Sequence, residues 1–518
     1  MTGDIHTTTA KSTRSAWVLL CLVVAIKMVA HYFVIDPSFD LQRDEYLHLD
    51  QANHPAWGYQ SVPPFISWVS MLIKVLGNGV FWVKFFPALA GAATIVVAYL
   101  ITSDLKGGLY ARCLTMFALL FSVLFRINIL FQPNSFDILA WTLVYYFFIK
   151  YLQHYQSKWL IWMAIVFALG FLDKYSILFL GLSIAAGLLA TRERKIYATK
   201  QLYIASLLIV LLISPNLLWQ YQQGFPVIHH MKELAATQLV HVERGDFLKS
   251  QLLFFFQAIF LLIAALAGFI SYPPFKKYRF IGWSYIFCIA LFLYFRAKDY
   301  YALGLYPVLI SFGAVYLERL LENGWKRFLK PLSFLFILYF FYPYLIRLPL
   351  VDPYKMMSVK PFNKTGPHRW EDGREHSLSQ DYADMRGWKE LAGKVSITMK
   401  EMPSPEKTLV ICDNYGQAGA INFYADLKAV SFNADYINWF RLDKPIEHLI
   451  LVKSPDDDGK VVDMLRPLFD SVALKGRIVD PFAREKGTFL YVFLNAHTPL
   501  NDLLRKKIAE YKKEEGLR

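Results

Sequence analysis

Long apolar runs separated by short polar breaks fill the first 350 positions of the chain and then stop. Windows of roughly twenty mostly apolar residues, enough to cross a hydrocarbon core of roughly 30 Å, recur about eleven times. The first covers 16–35, and the others fall near 80–103, 110–127, 135–152, 159–172, 175–190, 202–219, 250–270, 281–296, 302–318 and 331–349. The pattern predicts a polytopic α-helical membrane protein over residues 1–350. Residues 36–78 interrupt it, being too polar at first and then too amphipathic for a lipid-facing helix. Within them, Pro64 to Leu76 has the pattern of a helix lying along the membrane surface. From Val351 onward charged and turn residues return, and strand-like runs such as Thr408–Cys412 and His448–Val452 alternate with helix-like ones. Residues 351–518 therefore read as a soluble α/β domain, closed by a charged helix opened by Pro499 or Asn501.

Composition agrees with this reading. Of the 518 residues 55% are hydrophobic and 17% aromatic, too apolar for a protein with an ordinary soluble surface. A net charge of +14 would suggest a nucleic-acid partner in a soluble chain. Here the cations crowd the breaks between apolar runs, at Arg192, Arg194, Lys195 and Lys200, at Lys276, Lys277 and Arg279, and at Lys326, Arg327 and Lys330. This is the positive-inside pattern, so the surplus speaks for topology and not for nucleic acid. A cytoplasmic N-terminus and an odd number of spans put these loops inside and the tail outside, on the periplasmic face of a bacterial inner membrane. Lys11 and Arg14 precede the first apolar run as they would in a secretory signal, but Ala16 to Ile35 is too long for a signal core and reads as an uncleaved span. Cys21, Cys113, Cys288 and Cys412 match neither a disulfide framework nor a zinc site and read as packing residues.

Candidate chemistry gathers at the breaks expected outside. Arg43-Asp44-Glu45-Tyr46 is followed by His54, Trp57-Gly58-Tyr59 and Pro63-Pro64. Moving a sugar from a phosphate to a hydroxyl takes a carboxylate to accept the hydroxyl proton and a cation to hold the departing phosphate. Asp44 suits the base. Glu45 leaves a helix at a different angle and suits orienting it or binding a cation. The same pair also reads as ordinary charges on a solvated loop. Asp137, in Gln132-Pro133-Asn134-Ser135-Phe136-Asp137, is costly near the start of a membrane helix unless it faces protein or water. Its plain alternative is a charge well placed on the helix dipole, with Ser135 as the cap. Asp173-Lys174-Tyr175 and the group Arg296, Lys298, Asp299, Tyr300 and Tyr301 put cations and tyrosines where a lipid phosphate presents its anion, although each cation alone reads as snorkelling. Lys27, mid-span, either snorkels or belongs to a buried ion pair. His229-His230 gives a weak metal signal, since no HExxH spacing accompanies it.

Taken in order, these segments resemble the bacterial branch of glycosyltransferase family 39, related to protein O-mannosyltransferases and to the aminoarabinose transferases of lipid A. The resemblance runs nearly the whole length. It is carried by Asp44-Glu45-Tyr46, His54 through Trp57-Gly58-Tyr59 to Pro63-Pro64, Pro133-Asn134-Ser135-Phe136-Asp137 and Lys174-Tyr175-Ser176. Ser214-Pro215-Asn216 through Trp219-Gln220, Gly224-Phe225-Pro226 and Asn414-Tyr415-Gly416-Gln417-Ala418-Gly419-Ala420 extend it. It implies a C-type membrane glycosyltransferase fold and an inverting transfer from a polyprenyl-phosphate sugar to a lipid A, glycan or protein acceptor. It also implies a catalytic aspartate in the first external loop, which falls on Asp44, with Glu45 beside it and Asp137 as the second acidic position. Arg43, His54, Tyr59, Asn134, Lys174, Arg296, Lys298 and Tyr300 are the candidates for substrate binding, the last three from their chemistry and place at the membrane surface and not from the resemblance. The aminoarabinose transferases share an acidic residue and a lysine just before the Pro-Pro pair, for metal and donor phosphate, whereas this chain has Ser61-Val62. A divalent metal is therefore left open, with His54 or His230 as substitute ligands. The competing function is a transporter or flippase of a lipid-linked sugar, but neither repeated hydropathy nor a cluster of mid-span charges accompanies it. A membrane scaffold or sensor that binds through its tail is the third.

Overall fold

A computed structural model describes residues 3–237, 242–345, 348–358, 370, 374–455, 459–514 and 516. The chain forms two compact units. The first holds the chain up to Val34, Phe81–Pro215 and Thr237–Leu348; the second holds Ile35–Val80, Asn216–Ala236 and Pro349–Arg518.

Helices are the only regular secondary structure among the described residues of the first unit. Ala16–Phe33, Val80–Asp104, Lys200–Gln222, Asp299–Leu320 and Gly324–Leu345 are each long and apolar enough to cross a membrane. Arg244–Phe254 and Phe256–Ser271 qualify together but bend by 56° at their junction. Helices also occupy other predicted windows, at Pro133–His154, Ser157–Asp173 and Arg279–Tyr294. Leu109–Leu120 and Ile177–Leu189 have only 12 and 13 residues, which at 1.5 Å per residue span about 18–20 Å. Each of the eleven windows thus carries a helix, while among the described residues length and composition make full spans of five or six. Tyr203, Ile204, Leu207, Val210 and Leu211 of Lys200–Gln222 are all exposed, a surface suited to lipid and not to water. The chain is a multi-pass integral membrane protein.

Two expectations are corrected here. Lys27 neither snorkels nor meets a carboxylate among the described residues: its buried ammonium donates to Asn128 Oδ1 at 2.9 Å and lies 5.6 Å from the Phe125 ring centre. The helix bearing Asp137 starts at Pro133 with Gln132 as its cap, not Ser135. A proline suits the first helical position because its fixed φ is helical and no N–H is wasted there. Ser135 Oγ instead accepts from Asn128 Nδ2 at 3.0 Å.

In the second unit five strands form one sheet: β1 Thr408–Cys412, β2 Val430–Ser431, β3 His448–Lys453, β4 Phe469–Arg477 and β5 Phe489–Ala496. Their order is β2-β1-β3-β5-β4. β1 pairs parallel with β2 and β3, and β5 pairs antiparallel with β3 and β4. Ile411, Val430, Leu449, Leu451 and Phe493 pack with Leu500 and Leu504 of the terminal helix Leu500–Glu514 into a core. That helix starts directly after Pro499, and Asn501 inside it accepts from the Ile446 N–H at 3.0 Å. The chain leaves β1 for β2 on one side and then crosses to β3 on the other. In α/β sheets, such a reversal opens a crevice beyond the carboxyl ends of the strands.

Candidate active site

The polar segment after the first span forms helix Arg43–Gln51, started by a capping box. Gln42 Oε1 accepts from the Asp44 N–H at 2.9 Å, and Glu45 Oε2 accepts from the Gln42 N–H at 2.6 Å. These bonds satisfy amides that a helix start leaves unpaired, and the acidic charges oppose the positive end of the dipole. Glu45 is fully buried, so capping is its evident structural task.

Such a polar helix buries most of its residues because the rest of its unit supplies partners. Asp50 Oδ2 accepts from Asn422 Nδ2 at 2.7 Å, and Gln51 Nε2 donates to Asp435 Oδ2 at 3.0 Å. The other oxygen of Asp435 accepts from the Gln60 N–H at 2.8 Å, while burial pushes its carboxyl up to about 6. Tyr46, wholly buried, is 3.2 Å from Tyr424 through their hydroxyls. At the start of the helix the Tyr415 hydroxyl donates to Asp44 Oδ1 at 2.6 Å, and the Arg43 guanidinium lies 4.3 Å from the centre of the Tyr415 ring.

Helix Tyr415–Ala425 approaches closely enough for this because Gly416 and Gly419, one turn apart, face Arg43 and Tyr46, also one turn apart. A Cβ on Gly416 would lie 2.6 Å from Arg43 Cγ, and one on Gly419 would lie 2.8 Å from Tyr46 Cβ. Elsewhere in the unit Gly58 lies against the Trp219 ring, and Asn216 Nδ2 donates to the Trp57 carbonyl at 2.7 Å. The Trp57-Gly58 and Asn216-to-Trp219 motifs are thus two sides of one packing contact.

Asp384 lies beneath this helix start. Its backbone carbonyl accepts from the Arg43 N–H at 3.1 Å, and its carboxylate pairs with Arg484 at 3.2 Å. Burial pushes the carboxyl up to about 7 against the pull of Arg484 and Arg43. The folded chain therefore keeps this proton at pH values where an unfolded chain has lost it, and the associated stability fades as pH rises from about 4 through 7. Asp384→Asn should remove that slope. Apparent melting temperatures of the full chain in detergent, from pH 4 to 8, should shift in the variant's favour by the equivalent of roughly 2–4 kcal/mol. A constant offset at every pH would contradict this account.

His54 stacks on Trp439 with ring centres 4.2 Å apart and planes 8° from parallel, and burial holds its imidazole below the ordinary range. The buried Tyr59 hydroxyl sits 3.2 Å from the Gln51 carbonyl and 3.1 Å from that of His54, tying the loop to the helix end.

The first unit gathers four other candidates. Lys174 Nζ donates to Asn134 Oδ1 at 2.8 Å and lies 5.0 and 4.1 Å from the ring centres of Tyr300 and Tyr301. The buried Asp137 accepts from Trp141 Nε1 at 2.8 Å and from Ser176 Oγ at 3.1 Å. Both carboxylate oxygens are engaged, as intramembrane charge requires. Arg296 is exposed in a left-handed backbone conformation beyond helix Arg279–Tyr294, and Lys298 caps the following short helix Asp299–Leu305. Among the described residues no group of three or more His, Cys, Asp or Glu side chains converges as a metal site would require. His54 is stacked on Trp439 and His230 lies in helix Pro226–Thr237, and neither belongs to such a group among the described residues.

Sequence reading missed Tyr415, Asp384, Asn422 and Asp435. Their partners on helix Arg43–Gln51 lie more than 300 positions away, beyond the reach of periodicity. The one available signal was the paired glycines of the Asn414–Ala420 motif, whose spacing puts both on one helix face.

Residues 61–219 match a protein-family profile described as dolichyl-phosphate-mannose-protein mannosyltransferase. A comparison with curated protein sequences returns no match. The fold is similar to that of ArnT from Cupriavidus metallidurans bound to undecaprenyl phosphate, at a TM-score of 0.62 and 15% identity, over 92% of this chain and 98% of that one. The apo state of the same protein gives a TM-score of 0.59 at 15% identity, over 93% and 98%. The archaeal oligosaccharyltransferase AglB from Archaeoglobus fulgidus, in complex with an inhibitory peptide and a dolichol-phosphate, gives 0.52 at 12% identity, over 85% and 69%. The chain thus has an ArnT-like fold and, over residues 61–219, is similar to the dolichyl-phosphate-mannose-protein mannosyltransferase profile.

Proposed function

We propose that the protein moves a sugar, with inversion, from a polyprenyl-phosphate donor to a hydroxyl of a cell-envelope acceptor on the periplasmic face of a bacterial inner membrane. The acceptor is a lipid A, another surface glycan or a protein. The observation that best supports this reading is Asp44: a partly exposed carboxylate at a helix start, held by the Tyr415 hydroxyl, beside the guanidinium of Arg43.

In this reading Asp44 takes the acceptor proton as the acceptor oxygen attacks the anomeric carbon from the face opposite the phosphate. The bond from that carbon to the phosphate oxygen breaks, and the lipid phosphate leaves with the electron pair. Arg43, beside the base, stabilises that anion; in the first unit Lys174, Arg296 and Lys298 are cations of the kind that suits a lipid phosphate. Asp137, held by Trp141 and Ser176, lies one turn along the same helix from Asn134, the residue that accepts from Lys174. Undecaprenyl phosphate and a dolichol-phosphate in two proteins of similar fold support the lipid-phosphate class of the donor.

A carrier of lipid-linked sugar would also accommodate a broken helix such as the one bent by 56° between Phe254 and Phe256. Liposomes containing the purified protein and a polyprenyl-phosphate sugar labelled in the sugar separate the two. Transfer consumes the donor and moves label to an added envelope extract. Intact donor appearing in the opposite leaflet, with no labelled product, would establish the carrier instead.

A further inference from the structure

We infer that Tyr415 is a positioning residue for sugar transfer, its hydroxyl fixing the Asp44 carboxylate and its ring fixing the Arg43 guanidinium. Helix Tyr415–Ala425 of the tail is then part of the catalytic apparatus and not merely an attached domain. This rests on the reading of Asp44 as the base.

Packing alone does not call for a tyrosine at this position. The ring beside Arg43 could equally be phenylalanine, whereas the 2.6 Å hydroxyl–carboxylate bond needs the oxygen and is as short as charge-assisted bonds become. Burial and the neighbouring Asp44 charge hold the Tyr415 hydroxyl well above the ordinary tyrosine range, so it stays protonated and donates.

The surroundings of Tyr415 are built to be stiff. It is the first residue of its helix, whose cap, Asn414, accepts from the Gln417 N–H at 3.1 Å. Asn414 Nδ2 and Gln417 Nε2 donate to the two oxygens of the buried Glu485 at 3.2 and 2.6 Å, and Thr488 Oγ1 adds a bond of 3.1 Å. Beside them Asp413 joins the ends of β1 and β3 by accepting from Lys453 Nζ at 2.5 Å and the Ser454 N–H at 2.7 Å. This ridge lies at the carboxyl ends of two parallel strands where the chain order reverses, the place where α/β sheets hold their ligands. Here it holds the start of the acidic helix. The hydroxyl removes rotameric freedom from Asp44 before the acceptor arrives, and a base misplaced by about 1 Å can lose about 100-fold in rate.

The test compares Tyr415→Phe, Asp44→Asn and the double variant in the full-length protein, using a labelled polyprenyl-phosphate sugar and an envelope extract. Turnover is expressed per donor molecule bound at saturation, so that a misfolded fraction does not count. Tyr415→Phe should bind donor at wild-type stoichiometry and lower turnover per bound donor by about 10- to 100-fold. In the Asp44→Asn background the same change should alter the residual rate by less than about 2-fold, because the two groups act as one unit. Wild-type turnover in Tyr415→Phe, with Asp44→Asn inactive, overturns this inference and leaves the role of Asp44 intact. Equal losses from Tyr415→Phe in both backgrounds also overturn it, since they mark a packing role. Full activity in Asp44→Asn removes the base reading itself.

Discussion

Asp44→Asn should lower sugar transfer by about 10²- to 10⁴-fold, the usual contribution of a positioned general base. That corresponds to about 3–5 kcal/mol of transition-state stabilisation. The substitution keeps the side chain's shape and an oxygen that can still accept from the Tyr415 hydroxyl, 2.6 Å away in the parent. The capping box does not use the Asp44 side chain, so the helix start also survives. Donor binding should therefore hold while turnover falls, the signature of an interaction made only in the transition state. A variant that turns over within about 3-fold of the parent would show that another group takes the proton.

The second large effect is structural. Gly419→Leu should uncouple the two helices, because a Cβ at this position would already sit 2.7 Å from the Tyr436 hydroxyl oxygen and 3.1 Å from the Tyr46 carbonyl carbon. Backbone cannot yield as a flexible side-chain tip can, and overpacking of this kind costs about 1–3 kcal/mol or more. Retreat of the helix would also strand the Asp50–Asn422 bond, leaving buried polar groups unpaired. We expect faster proteolysis within residues 36–60 and loss of transfer, while helices of the first unit remain protease-resistant. Unchanged cleavage and activity would mean that the glycine spacing is incidental.

How far the sequence discloses this architecture depends on the range of the forces involved. Span-length apolar windows and the strands at 408–412 and 448–452 are local patterns, and helices and strands form there. Short helices such as Leu109–Leu120 fall below a window's length because a local turn at Phe121 ends the run, which hydropathy averaging does not register. The Arg43–Gln51 segment is the instructive case. Its polarity reads as a solvated loop, yet Tyr46, Asp50 and Gln51 are buried because Tyr424, Asn422 and Asp435 supply their polar partners. Only tertiary pairing makes such burial affordable, and nothing within the segment announces it. Conversely, Lys27 reads as a snorkelling charge or as half of a buried ion pair, and its buried ammonium instead donates to a neutral amide.

Glycan and glycolipid mass spectrometry on cells that lack the gene, complemented with the wild-type or the Asp44→Asn chain, tests the central claim most directly. We predict that one sugar residue disappears from a defined envelope component without the gene, returns with the wild-type chain, and stays absent with the variant while its polyprenyl-phosphate donor accumulates. Identical envelope profiles in all three strains, or full restoration by the variant, would contradict it.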